Sequence, residues 1–336
     1  MRYGFIDSLR AIAVLSVIAM HWIQNFHKIS ENGDGYVNIL RYIDLGRFGV
    51  VIFFLVSGFV IVKSFSSFKA FWIKRFFRLY PAFWLSVLLA YPVMKWWGLK
   101  IGWDDLLYNM TMLPQFFGSP MILWLYWTLE VELVFYLLMS VLFLMGWLED
   151  PKKIFYVFLC CIGLFVMGRL TNFHSTHVGL AEMPHFLAIM FMGSVARMVY
   201  DGKKEAKRYL FWMIGIVVAL QTLAIVKYLL TQKFQYIPVM AGFLSAELVF
   251  ALFVLFRIEA KILILIGIVS YSLYLFHPIV LHGIYLIFTR VLHTRLDHIE
   301  SYFLINAVLL FPLAYGVYRY VERPLNRLGH KIAVRV

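Results

Sequence analysis

The sequence predicts an all-α, polytopic transmembrane bundle of about ten spans with both termini cytoplasmic. Three observations predict it. Hydrophobic residues make up 62% of the 336 residues, and the mean hydropathy is +0.81. Charged residues make up only 15%, where a soluble domain averages about 25%. Lys and Arg are unevenly shared among the loops, 21 of the 31 falling on the side of the N terminus, which the positive-inside rule assigns to the cytoplasm.

Ten apolar segments carry this reading: residues 5–26, 48–65, 81–97, 121–147, 154–170, 184–200, 209–230, 236–256, 262–288 and 301–321. The connections are mostly short and no low-complexity linker separates them, so residues 1–336 read as one domain. The first stretch is too long for a signal h-region and no small-residue cleavage site follows it, so it reads as a retained span. No internal repeat is visible, which counts against an inverted-repeat transporter. The net charge of +13 lies in membrane-flanking loops, and no basic patch suits nucleic acid. Cys160 and Cys161 are adjacent inside an apolar run and read as buried and inert.

The first span holds Arg10 and His21. Eleven helical steps bring them to within about 20° of one face and about 16 Å apart along the axis. A charge deep in a bilayer costs roughly 2.5–3.5 kcal/mol on insertion scales, so such a stripe lines a polar cavity or bonds a neighbouring helix. In the second span, Ser57 and Gly58 of FFLVSGF let another backbone approach closely. The stretch from Ser66 to Tyr80 alternates basic and aromatic residues, as an interfacial helix against anionic lipid does. Arg75 and Arg78, three apart, also suit a phosphate or pyrophosphate. Pro81 is placed to begin the third span, in the first helical turn.

The fourth span carries WTLEVE near its start, with Glu130 and Glu132 pointing about 200° apart, so one carboxylate faces a cavity while the other meets a cation or the interface. A carboxylate beside His21 would raise its basicity and fix its tautomer. His174, His177, Glu182 and His185 follow the fifth span; they read as solvated loop residues rather than a zinc site, and no metal is expected. His277 directly precedes Pro278, where it is placed to bond carbonyls freed at a proline kink. Glu322-Arg323-Pro324 reads as an interfacial ion pair and a helix stop.

With these residues in hand, the chain resembles the acyltransferase-3 family of membrane-bound acyltransferases. The resemblance starts at IDSLRAIAV, with Arg10 and His21 fitting the family's R-x10-H pattern, and continues through FGVVIFFLVSGF. Arg75 and Arg78 before Tyr80-Pro81 resemble its R-x-x-R pattern, and Trp127-Thr128-Leu129 with Glu132 its W-S/T-L-x-x-E signature. SYSLYL-x-His277 and VERP resemble its late motifs. The resemblance implies transfer of an acyl group, commonly acetyl, from cytoplasmic acyl-CoA to a hydroxyl of an extracytoplasmic acceptor, mostly a surface or exported glycan. It implies a multi-pass protein of a bacterial plasma (inner) membrane, in contact with lipid.

On that reading Arg10, Arg75 and Arg78 hold the phosphates of acetyl-CoA or another acyl-CoA. His21 serves as general base or as nucleophile, and Glu132 orients or charge-stabilises it. Glu130 falls at a variable position; Ser57 and Tyr80 are candidate oxyanion donors, and His277 a lesser candidate for substrate contact. The chain ends soon after the tenth span and so resembles members without an appended esterase-like domain. The rival reading is a non-enzymatic transporter or flippase of a glycan or lipid, which also uses intramembrane polar residues.

Overall fold

A computed structural model of the chain describes residues 3–30, 40, 42–171, 178–294 and 298–336. Among the described residues the regular structure is helical, with ten helices long and apolar enough to cross a membrane. In order these and their shorter companions are α1 (Gly4–Ile29), α2 (Leu45–Ile61), α3 (Phe68–Trp97), α4 (Trp103–Met110), α5 (Trp127–Leu144), α6 (Pro151–Leu170) and α7 (Val178–Tyr200). They continue with α8 (Lys204–Leu230), α9 (Ile237–Phe256), α10 (Lys261–Ile268), α11 (Ser270–Leu286), α12 (Ile299–Val317) and α13 (Arg323–Ala333).

Small residues decide which helices reach the centre. Without a hydrophobic drive between helices in lipid, close packing of backbones holds them. A Cβ on Gly58 of α2 would lie 1.9 Å from the Met190 carbonyl oxygen of α7, and one on Gly193 would lie 2.3 Å from that of Leu55. The Ser194 hydroxyl, itself on α7, donates to the Gly58 carbonyl at 3.1 Å. Gly49 sits in the same way on the Ala13 carbonyl of α1, and Gly267 of α10 on that of Asp7. α1, α2 and α7 form the core; α6, α8 and α9 turn large apolar side chains such as Leu170, Phe211, Leu230 and Leu255 outward, as lipid-facing helices do. The approach expected at Ser57-Gly58 belongs to Gly58 alone, because Ser57 serves a carboxylate.

One end of the bundle gathers the basic loops. Lys63 Nζ lies 2.8 Å from Glu149 Oε1, and Arg197 pairs with Asp201 at 2.9 Å and reaches the Tyr3 hydroxyl at 3.2 Å. The hydrogen bond from Lys63 holds the exposed Glu149 carboxyl below its ordinary value. At the same end α13 packs Gly329 against Phe77 in the first half of α3.

Several expectations are corrected. α3 is one helix from Phe68 to Trp97, capped by the Ser67 hydroxyl on the Ala70 N–H, so Pro81 lies inside a helix rather than at its start. Its first half also packs on protein, with Phe71 stacked on Phe65 at 3.9 Å and Phe77 against α13. The segment read as residues 262–288 is two helices, α10 and α11, divided at Val269. Glu322 is buried and accepts from Ser272 Oγ at 3.0 Å, and the chain runs through a π turn (Tyr318–Glu322) into α13, so Pro324 opens a helix instead of stopping one. Of the cysteines only Cys161 is buried; Cys160 is exposed, and both are free thiols.

Between α3 and α5 the chain folds back into the bundle. Trp84 Nε1 donates to the Met110 carbonyl at 2.9 Å, and the Tyr80 hydroxyl to that of Thr111 at 3.1 Å. Trp84 lies thirteen residues before the end of α3, or about 20 Å along its axis. Non-helical backbone at that depth must be satisfied by protein. Buried Asn109 does this too, donating to the carbonyls of Asp105 and Pro120 and accepting from Ile122 N at 3.0 Å. This excursion delivers Trp124 to the site.

Candidate active site

The site begins with a missing N–H. Pro278 sits inside α11 and cannot donate to the carbonyl of Tyr274, four residues back. His277 takes that carbonyl, with Nδ1 2.7 Å from Tyr274 O and 3.2 Å from Leu273 O. A carbonyl only accepts, so Nδ1 carries the proton, and in the neutral ring Nε2 is an acceptor. The partner of Nε2 is His21 Nδ1, 2.8 Å away, so that atom donates. The relay therefore leaves the lone pair of His21 on Nε2. Both rings are buried and near-parallel, edge to edge with 5.1 Å between centroids, and Trp124 meets His21 in a T-shape at 4.7 Å. His277 bonds the freed carbonyls as its place before proline implies; its contact with His21 is not legible in sequence.

His21 lines one cavity, and the arginines line another. The histidine cavity has a volume of about 680 Å³ and is lined by Gln24, Arg47, Gln115, Trp124, Trp127 and Glu182 among others. That is within the range of roughly 300–1,000 Å³ typical of small-molecule sites. Arg47 pairs with Glu182 Oε2 at 2.8 Å and lies over Trp127 at 5.7 Å and Phe186 at 5.6 Å. In the sequence Arg47 counted only as a loop charge.

The arginine cavity brings together Arg10, Arg75, Arg78, Glu132 and Ser57. Arg10 Nη1 donates to Asp7 Oδ1 at 3.3 Å. Arg75 Nη2 donates to Ser64 Oγ at 2.6 Å, and its guanidinium lies over Tyr136 at 5.2 Å and Phe71 at 5.4 Å. Its Nε is buried without a hydrogen-bond partner among the described residues. Such a cluster suits a polyphosphate anion. Val50 and Tyr274 line both cavities.

Three sequence expectations meet a different geometry. Glu132 does not orient His21: its Oε1 accepts from Ser57 Oγ at 2.9 Å and from the Tyr136 hydroxyl, on the arginine side. The pairing of His21 with His277 across 256 positions takes the place expected for the carboxylate. Tyr80 lines a third cavity of about 390 Å³ with Trp72, Phe76 and Trp84, its hydroxyl spent on Thr111. Glu130 is buried and lines neither the arginine nor the histidine cavity.

The outer histidines also differ from expectation. His185 is buried, not solvated, stacked on Phe165 at 4.8 Å and Phe243 at 5.1 Å. Glu182 bridges Arg47 and Arg169, while His174 and His177 lie outside the described residues. Among the described residues no group of three or more metal-ligating side chains converges.

Comparison with known proteins places the chain in a family. The chain is 28% identical over 174 residues to the peptidoglycan O-acetyltransferase OatA of Listeria monocytogenes, covering 44% of this chain and 25% of that protein. It is 26% identical over 239 residues to nodulation protein 10 of Rhizobium leguminosarum, covering 62% of this chain and 63% of that one. It is 30% identical over 152 residues to the acyltransferase MdmB of Streptomyces mycarofaciens, covering 40% and 38%. The chain thus spans less than two thirds of the length of these relatives. No solved structure matches it. The acyltransferase domain family matches residues 3–318, nearly the whole chain. The chain belongs to that family, and ten of its described helices are long and apolar enough to cross a membrane.

Proposed function

We propose that this enzyme takes an acetyl group from acetyl-CoA held in the arginine cavity and places it on a hydroxyl of a glycan held in the histidine cavity. The observation that carries the reading is the fixed tautomer of His21, whose free Nε2 belongs to the residue lining the second cavity. Arg75 and Arg78, with Arg10, take the phosphates of the nucleotide, and the thin pantetheine arm carries the thioester toward Val50 and Tyr274. As the acceptor hydroxyl attacks the carbonyl, its proton passes to His21 Nε2. The new C–O bond forms, the C–S bond breaks, and His21 returns the proton to the departing thiolate. General-base help of this kind is typically worth 10²–10⁴-fold. Glu132 holds Ser57 and Tyr136 in place at the donor cavity.

The basic loops support placing the arginine end in the cytoplasm, with the acceptor outside and both termini inside. The bacterial relatives, one named for acetylating peptidoglycan, support a glycan acceptor and a bacterial plasma membrane. The test uses proteoliposomes of one known orientation. Acetyl-CoA at the arginine end and a polysaccharide at the other end are expected to give the ester; ester formed only when both stand at the histidine end would contradict the reading.

A further inference from the structure

We infer that Val50 and Tyr274 set the length of the acyl group this enzyme transfers, restricting it to short chains. The inference rests on the transfer reading above and adds to it the residues that choose the donor. Val50 of α2 and Tyr274 of α11 are the two side chains that line both cavities, so one layer of residues separates the arginines from His21. A thioester carbonyl brought to that layer projects its tail into the histidine cavity, in front of His21 and Trp124. Each added methylene then takes volume that the acceptor needs.

The layer is rigid. The Tyr274 hydroxyl lies 2.7 Å from Thr128 Oγ1 and 3.3 Å from the Leu125 carbonyl, and Phe53 meets its ring edge-on at 5.7 Å. The Tyr274 carbonyl also holds His277. The tyrosine cannot swing aside for a longer chain without leaving its hydroxyl's partners, Thr128 Oγ1 and the Leu125 carbonyl. Val50 is buried, in a helix locked to α1 by Gly49. Interiors packed at this density do not stretch for a methylene, and one methylene in a fitted pocket changes discrimination by roughly 10–200-fold.

The test compares acetyl-CoA with butyryl-CoA in purified enzyme in nanodiscs, for wild type, Val50→Ala and Val50→Leu. Val50→Ala is expected to raise the butyryl-to-acetyl ratio of kcat/KM by about tenfold or more, and Val50→Leu to lower it. Opposite shifts from one position are not produced by general destabilisation. The same three proteins are titrated with CoA, acetyl-CoA and butyryl-CoA by calorimetry, where Val50→Ala is expected to tighten butyryl-CoA relative to CoA. Ratios unchanged in both variants, in turnover and in binding, would overturn the inference while leaving the transfer reading intact. Wild type that releases no CoA from either donor would instead defeat the transfer reading, and the binding ratios would still decide the role of Val50.

Discussion

His21 and His277 lie edge to edge, their rings 3° from parallel, with Nδ1 of the first 2.8 Å from Nε2 of the second. The pair is the inner part of a chain that starts at a proline. Pro278 leaves the Tyr274 carbonyl open, His277 fills it, and the proton order that follows is transmitted to His21. A histidine here does what a carboxylate does in a His–acid pair: it fixes orientation and tautomer, without adding charge in the membrane.

His277→Ala is therefore expected to act through His21. It should lower kcat by about 10²-fold or more while acyl-CoA affinity changes by less than about twofold. Steady-state CoA release and calorimetry on the same preparation check this. A fall in affinity with kcat unchanged would place His277 in substrate binding instead.

Arg75→Ala and Arg78→Ala are expected to weaken acyl-CoA binding by about 10- to 100-fold each, the usual worth of a hydrogen bond to a charged group. The wild-type affinity should fall with added salt, and less steeply in the variants. Isothermal titration at two ionic strengths reads both effects. Unchanged affinity would return these residues to lipid contact.

Gly58→Ala is expected to destabilise the core, because its Cβ would stand 1.9 Å from the Met190 carbonyl oxygen. Parting α2 from α7 costs about 1–3 kcal/mol by analogy with overpacked cores. A Cβ on Gly163 meets nothing within 4 Å, so Gly163→Ala serves as the comparison and should be neutral. Thermal midpoints in detergent, measured on both variants, give the answer.

Glu149 links stability to pH. Its folded carboxyl is held low by Lys63 and Lys203, so its contribution is present above the unfolded value near 4.5 and is lost as pH falls. Glu149→Gln is expected to lower the thermal midpoint slightly at pH 7, with the difference from wild type vanishing toward acid pH and shrinking in high salt. The carboxylate is 53% exposed, so the effect is small. An acid-insensitive difference would exclude the ion pairs as its source.

Much of the bundle is legible in composition, because each apolar run long enough to span must form a helix in lipid. The boundaries fail where backbone polarity is satisfied by distant side chains. Tyr80 and Trp84 bond the carbonyls of Thr111 and Met110, and nothing local to residues 103–117 announces that they fold inward. The same holds at the site. Helical spacing puts Arg10 and His21 on one stripe and sets Arg75 beside Arg78, and Glu132 stands out as a carboxylate in an apolar run. The pairing of His21 with a residue 256 positions away, and the choice of Ser57 and Tyr136 as partners of Glu132, follow from packing alone. Tyr274 stood in a motif with no stated task; only the two cavities show where it stands.

The most direct test of the central claim is release of free CoA from radiolabelled acetyl-CoA by purified protein in nanodiscs, wild type beside His21→Ala, with acetyl-CoA binding followed in parallel. The account predicts CoA release by wild type, its loss in His21→Ala, and retained acetyl-CoA binding in both. Undiminished release by a folded His21→Ala protein would remove His21 from the chemistry and contradict the account.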